Sequence, residues 1–334
     1  MKLALKMIVI GFFAIVALLM TVWAMAAIYY SNLPWYFLRI AAAIAFPVVC
    51  VVIFSAIRPF RRAGLIFLVV FSVILIWWLL IPPSNSRNWQ PDVAFLPSAQ
   101  IDGNMVTVHN IRNCDYRTET DYTVAYYDKT FDLSKLQGAD LFICSWGSPL
   151  ISHTIMSFCF EDDQYLCISI ETRKEIGEKY SSVKGFFKQY ELAYIVGDER
   201  DLIRLRTNFR KETVYLYRLT AKPALVRDVL LDYLKSVNHL HDHPEWYNAL
   251  TENCTTAIRG HTAPYAHGKM SWKILANGYL DTLLYERKAI DTNMPFEQIK
   301  QISRISDKAL NAGNSDDFSI IIRNGLPNPH LLQK

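Results

Sequence analysis

Gln164-Tyr165-Leu166-Cys167-Ile168-Ser169-Ile170-Glu171 alternates cleanly through Leu166, Ile168 and Ile170, which is the period of a half-buried β-strand. The same period runs outward on both sides. Met105 to Ile111, Thr123 to Phe131, Asp140 to Ser145 and Thr154 to Phe160 precede it, and Tyr190 to Val196 and Thr213 to Leu219 follow. Ala224 to Asn238 then switches to apolar residues at helical spacing. Strands in the middle with a helix flanking them predict an α+β domain.

Before that domain the chain is of another kind. The first 83 residues contain no Asp or Glu and three apolar runs, Met7 to Tyr30, Ile40 to Ile57 and Leu65 to Ile81. A helix crossing a bilayer takes about 17–25 such residues, so each run is long enough. The first run is long for the apolar core of a signal peptide, and Ala26-Ala27 is a weak cleavage site. Lys2, Lys6, Arg58, Arg61 and Arg62 mark the ends that the positive-inside rule assigns to the cytoplasm. The expected organisation is a three-helix transmembrane anchor over 1–83, a linker over 84–103 and an exported domain over 104–334. Arg39 is expected to snorkel to the interface beside Trp35 and Tyr36, and Pro47 to kink the second helix.

Six of the 35 Lys and Arg lie in the anchor, leaving 29 basic residues against 31 acidic ones in the rest. The slight basicity therefore belongs to the anchor, and nucleic acid is not an expected partner. Cys114, Cys144, Cys159, Cys167 and Cys254 lie in the domain and Cys50 in the second helix. An oxidising compartment permits disulfides among the first four, although Cys144, Cys159 and Cys167 sit in apolar runs that suit buried thiols equally well. No C-x-x-C pair is present, so a zinc or redox site lacks its usual spacing. His239, His241 and His243 alternate around Asp242 but run into Pro244 and read as a loop. No metal and no cofactor are expected.

Two short motifs carry the chemistry. Ser152-His153 is followed about a hundred residues later by Asn253-Cys254-Thr255-Thr256. Asn253 is a good N-cap, which would place Cys254 at the positive end of a helix dipole. That position favours a thiolate by roughly 0.3–1 kcal/mol, and an adjacent imidazole adds more. Cys254 is then the candidate nucleophile and His153 its base, with His261 and His267 as rivals. Asn253 and Thr255 would support an oxyanion. Glu171 is the candidate third member that orients His153, with an ion pair to Arg173 or Lys174 as the competing role. Arg206 and Asn208 are candidates for binding a phosphate or carboxylate, against a structural pairing of Arg206 with Asp198 or Glu199. Phe296 to Leu310 is amphipathic, fit to cover the sheet or to lie along a membrane.

These segments also carry a resemblance. Ser152-His153-Thr154 with Ser157-Phe158, Ser169-Ile170-Glu171-Thr172-Arg173, Gly197-Asp198-Glu199-Arg200-Asp201-Leu202, Leu205-Arg206-Thr207-Asn208 and Tyr247 to Thr256 resemble the Lnb N-terminal periplasmic domain family, over about Asn104 to Pro327. The resemblance implies a permuted papain-like fold in which the histidine precedes the cysteine. It implies acyl transfer from a lipid to an amine, with a phospholipid as donor and the N-terminal cysteine of a lipoprotein as acceptor. It also implies a bacterial inner-membrane protein whose C-terminal domain lies in the periplasm, with the lipid bilayer as a partner. In the Lnb type the exported domain precedes a multi-helix membrane region, whereas here three helices come first. A cysteine hydrolase, either phospholipase or cell-wall amidase or peptidase, and a noncatalytic envelope scaffold are the alternatives.

Overall fold

A computed structural model describes residues 2–33, 35–249, 254–265 and 271–329. The chain divides into two compact units, Met1–Ser84 with Tyr180–Tyr190, and Asn85–Lys179 with Glu191–Lys334.

The first unit contains α1 (Lys2–Tyr29), α2 (Tyr36–Ala56) and α3 (Phe60–Leu79). All three are long and apolar enough to cross a membrane. Ala24, Ala43 and Ala63 are buried between the helices with Phe46 and Phe67, while Phe12, Val51 and Val69 point outward and are exposed. Small residues inside and large apolar ones outside suit a bundle solvated by lipid. Arg39 Nε donates to Leu33 O at 2.5 Å, so the guanidinium turns back past the helix start as snorkelling requires. Pro47 sits within α2, which continues through it.

The second unit is built on an eight-stranded sheet. Its strands are β1 (Ser98–Asp102), β2 (Met105–Arg112), β5 (Tyr126–Asp132), β6 (Leu136–Ser145), β7 (Ser152–Phe160), β8 (Tyr165–Arg173), β9 (Glu191–Gly197) and β10 (Thr213–Arg218), with β3 (Asp115–Tyr116) and β4 (Tyr122–Thr123) as a separate ribbon. The order is β1-β2-β9-β8-β7-β6-β10, and β5 pairs with β2. Neighbours are antiparallel except β2 and β9, which meet in parallel at Arg112 and Gly197.

Strand alternation sorts the side chains into two faces. Phe142, Cys144, Ile155, Cys167, Ala193, Ile195, Val214 and Leu216 share one core with Leu202 and Ile203 of α4 (Glu199–Arg204), Ala309 of α10 (Ser306–Ala312) and Phe318 and Ile322 of α11 (Phe318–Arg323). The other face carries α5 (Pro223–Asp242) and α6 (Cys254–Thr262), where Tyr233 packs on Phe158 and Tyr194. Pro223 starts α5 at the position where a missing N–H costs nothing. The chain continues through α7 (Trp272–Leu275), α8 (Leu280–Glu286) and α9 (Phe296–Ser303). Ile299 and Ala309 are buried, so the amphipathic C-terminal stretch packs within its own unit.

Several expectations meet a different local structure. The segment expected as a linker over 84–103 folds with the sheet from Asn85 onward, because Val93 and Leu96 enter the core and Ser98–Asp102 is β1. All six cysteines are free and buried. Cys144 and Cys167 lie on β6 and β8 with β7 between them, about two strand spacings or roughly 9–10 Å apart, beyond the reach of a disulfide. His239 and His241 belong to the last turns of α5 rather than to a loop, and His239 stacks on His243.

Candidate active site

The start of β7 and the start of α6 meet through one asparagine. Ser152 N–H donates to Asn277 Oδ1 at 2.7 Å, and Asn277 Nδ2 donates back to Ser152 O at 2.7 Å and to Thr255 Oγ1 at 3.0 Å. Ser152 Oγ donates to the Asn277 carbonyl at 2.9 Å. The side-chain amide thus imitates one rung of a strand ladder and ties β7 to α6. The adjoining Gly278 allows this approach, because a Cβ there would lie 2.1 Å from Pro149 O.

Cys254 is the first residue of α6 and only 7% exposed. Its Sγ lies 3.9 Å from Ser152 O, 3.9 Å from Asn277 Nδ2 and 3.8 Å from Thr255 Oγ1. Thr255 is buried, with Thr154 Oγ1 3.4 Å from its own hydroxyl. The thiol therefore rests against the peptide that leads into His153.

The His153 side chain points to the other face of β7, as alternation with Ser152 and Thr154 demands. There Nε2 lies 2.8 Å from Ser169 Oγ, and Ser169 Oγ donates to Glu171 Oε1 at 2.8 Å. His153 Nε2 is 3.7 Å from the same carboxylate oxygen, which also accepts from Arg206 Nη2 at 3.2 Å. Arg206 Nη1 reaches Glu212 at 3.2 Å. Arg206 enters this row from a π-turn over Leu205–Phe209 at the end of α4. Among the described residues, no hydrogen bond joins the His153 ring to the Cys254 thiol.

The protons in this row can be assigned. Burial alone would raise the Glu171 pKa, but Arg206 and then His153 outweigh it and hold the carboxyl below its ordinary range. Glu171 is therefore an ionised acceptor. The single hydroxyl proton of Ser169 goes to it, so Ser169 Oγ must accept from His153 Nε2–H. The neutral ring then keeps its lone pair on Nδ1. Burial first, and Arg206 second, lower the His153 pKa to about 3 against the opposing pull of Glu171.

Other candidates are placed as follows. Glu171 takes Arg206 as its ion-pair partner, while Arg173 donates to Val93 O, Asn85 Oδ1 and Ala94 O. Asp198 and Glu199 pair instead with Arg200 and Arg323. Asn208 Nδ2 donates to Ala309 O at 3.2 Å, and its Oδ1 accepts from Thr207. Asn253 and His267 lie outside the described residues. His261, in the last turn of α6, is buried, with Nδ1 2.7 Å from Asp232 and Nε2 2.6 Å from Tyr194 OH. A cavity of about 260 Å³ beside it is lined by Tyr194, Glu245 and Thr256. A second cavity of about 350 Å³ opens by Ser145, Pro149 and Gly278, next to the Asn277 clamp.

Sequence reasoning missed Ser169 and Asn277. Ser169 stands two residues before Glu171 on the same strand face, so the alternation that exposed β8 could have found it. Asn277 is 125 residues from Ser152, and no local pattern announces it.

The sheet and this row of residues occupy a recognisable stretch of chain. Residues 122–284 match the Lnb N-terminal periplasmic domain family. The match includes His153, Ser169, Glu171, Arg206, Cys254 and Asn277, and it is narrower than the span over which the motifs resemble the family. The chain has no match among curated proteins or among solved structures. The stretch that matches this family thus follows three apolar helices in the chain, an arrangement that supports a membrane protein with a periplasmic domain.

Proposed function

We propose that the protein is a membrane-anchored periplasmic thiol acyltransferase of permuted papain-like type, using Cys254 as nucleophile and His153 as base. The observation that carries this reading is the placement of Cys254 at the start of α6, with its thiol 3.9 Å from the Ser152 carbonyl, one peptide before His153. The Ser169–Glu171–Arg206 row on His153 Nε2 supports it by leaving the lone pair on Nδ1.

In the proposed reaction, a rearrangement of the start of β7 turns the His153 side chain from the Ser169 face to the Cys254 face and brings Nδ1 to the thiol. Nδ1 takes the thiol proton and Cys254 Sγ attacks the ester carbonyl of a phospholipid. Burial and Arg206 hold the ring's affinity for that proton low, and Glu171 pulls against them. Backbone amides at the start of α6 stabilise the oxyanion. The ester C–O bond breaks, the imidazolium protonates the departing lyso-lipid oxygen, and an acyl thioester remains on Cys254. A free amine, such as the N-terminal amine of a lipoprotein, then attacks the thioester. His153 takes the amine proton and returns it to the departing sulfur, forming an amide and restoring the thiol.

Intact mass spectrometry tests this reading on the full chain and on Cys254→Ser, incubated with phospholipid and a diacylated lipopeptide bearing a free N-terminal amine. The expected result is a hydroxylamine-sensitive acyl adduct on the native protein that passes to the lipopeptide, and no adduct on the variant. Release of the acyl group only as free fatty acid would replace transfer by hydrolysis, and the absence of any adduct would remove the acyl-enzyme.

A further inference from the structure

The connection between β8 and β9 leaves the sheet unit. Tyr180–Tyr190 clusters with the three apolar helices, and its contacts there are specific. Phe187 stacks on Tyr30 with ring centroids 5.6 Å apart and lies 6.4 Å from Trp23. Lys188 Nζ donates to Trp78 O at 3.1 Å, Leu79 O at 2.8 Å and Ile81 O at 3.3 Å, and lies 4.8 Å from the Trp78 ring centroid. Gln189 Nε2 donates to Tyr30 O at 2.5 Å. The segment therefore caps the C-terminal ends of α1 and α3 together. A lysine on the last carbonyls of α3 also complements the negative end of the helix dipole.

These contacts fix the height of the segment. Helix ends carrying Trp23, Tyr29, Tyr30 and Trp78 lie where aromatic side chains concentrate, at the boundary between hydrocarbon and headgroups. Beside the capping residues, Tyr180, Val183 and Phe186 are 50%, 54% and 44% exposed. Large apolar side chains at that height, with Lys184 among them, suit a surface partly immersed in lipid.

We infer that Tyr180–Tyr190 is an interfacial lipid-docking loop, with Val183 and Phe186 inserted into the outer leaflet of the bilayer that α1–α3 cross. The occupant is lipid because the segment is continuous, through Lys188 and Gln189, with the ends of the membrane-crossing helices. Lys188 is pushed below its ordinary pKa by burial, in keeping with a cation that serves helix carbonyls rather than bulk water. The inference does not depend on the chemistry of Cys254.

The test uses the full chain in a Cys254→Ser background, reconstituted in nanodiscs of phosphatidylcholine and phosphatidylglycerol. A nitroxide is attached at Val183→Cys or Phe186→Cys, with Leu68→Cys on the exposed flank of α3 as the in-bilayer reference and Glu161→Cys as the aqueous one. Power saturation compares access by oxygen, which prefers lipid, with access by a nickel chelate, which stays in water. Labels at 183 and 186 should show oxygen-to-nickel ratios several-fold above that at 161 and shifted toward that at 68. Nickel access at both sites equal to that at 161 would overturn the inference, as would protection from both reagents, which would mean cover by protein.

Discussion

A serine hydroxyl has one proton to give, and at Ser169 it goes to Glu171, which decides the nitrogen of His153 that remains basic. The same burial makes His153 a pH-dependent element of stability. Unfolded, the ring titrates near its ordinary 6.5, whereas in the fold it resists protonation down to about 3. Below the unfolded value the unfolded chain binds a proton that the native chain refuses, so stability falls as pH drops from about 6.5 toward 3. Glu171, depressed in the fold, adds a loss of the same sign only below the ordinary carboxylate value of 4.5. Unfolding of the full chain in detergent between about pH 6.5 and 5 isolates the histidine. There the native protein should lose up to about 1.4 kcal/mol per pH unit more than His153→Gln, the equivalent of one proton. Equal slopes for the two proteins would show that His153 is protonated in the folded state. The candidacies of His153, Glu171 and Arg206 were legible because each residue type announces its chemistry. Their grouping was less so, since Arg206 reaches Glu171 from 35 positions away.

Among the elements, the longer strands were readable as apolar, β-rich runs, although the run from Asp140 caught only the second part of β6 (Leu136–Ser145) and the run from Thr123 began before β5 (Tyr126–Asp132). β1 was not, since only Ala99 of its five residues is buried and its sequence carries no period. The turn over Asn277–Tyr279 was equally silent, yet it organises the site by supplying both halves of an amide clamp to Ser152. Asn277→Asp keeps an acceptor for Ser152 N–H but turns an oxygen toward the Ser152 carbonyl. A buried carbonyl left without its donor costs about 1–3 kcal/mol, and the resulting loss of stability should appear as a lower thermal midpoint. Gly278→Ala attacks the same clamp sterically by driving a methyl group into Pro149 O. Both variants should expose the Cys254 thiol and accelerate its alkylation by iodoacetamide. If both alkylate at the native rate with unchanged stability, the turn does not hold α6 against β7.

For the whole molecule, charge and connectivity address the same question independently. Lys2, Lys6, Arg58, Arg61 and Arg62 place the start of α1 and the α2–α3 link on one side of the membrane. In the structure, Gln189 bonds Tyr30 O beyond the end of α1, and the adjacent Lys188 bonds the carbonyls at the end of α3. Two helix ends capped by adjacent residues lie on a common side, opposite to the arginine link when each helix crosses once. The sequence could not foresee this agreement, because the capping residues lie more than a hundred positions beyond α3 in the chain. Cysteine scanning in intact cells checks it. With a membrane-impermeant maleimide that enters the periplasm, Asp102→Cys should label in intact cells, whereas Arg61→Cys should label only after the inner membrane is permeabilised. The reverse pattern would invert the topology and place Cys254 in the cytoplasm. Equal labelling at both positions before permeabilisation would mean that the helices do not separate them, and the three-span anchor would fail with it.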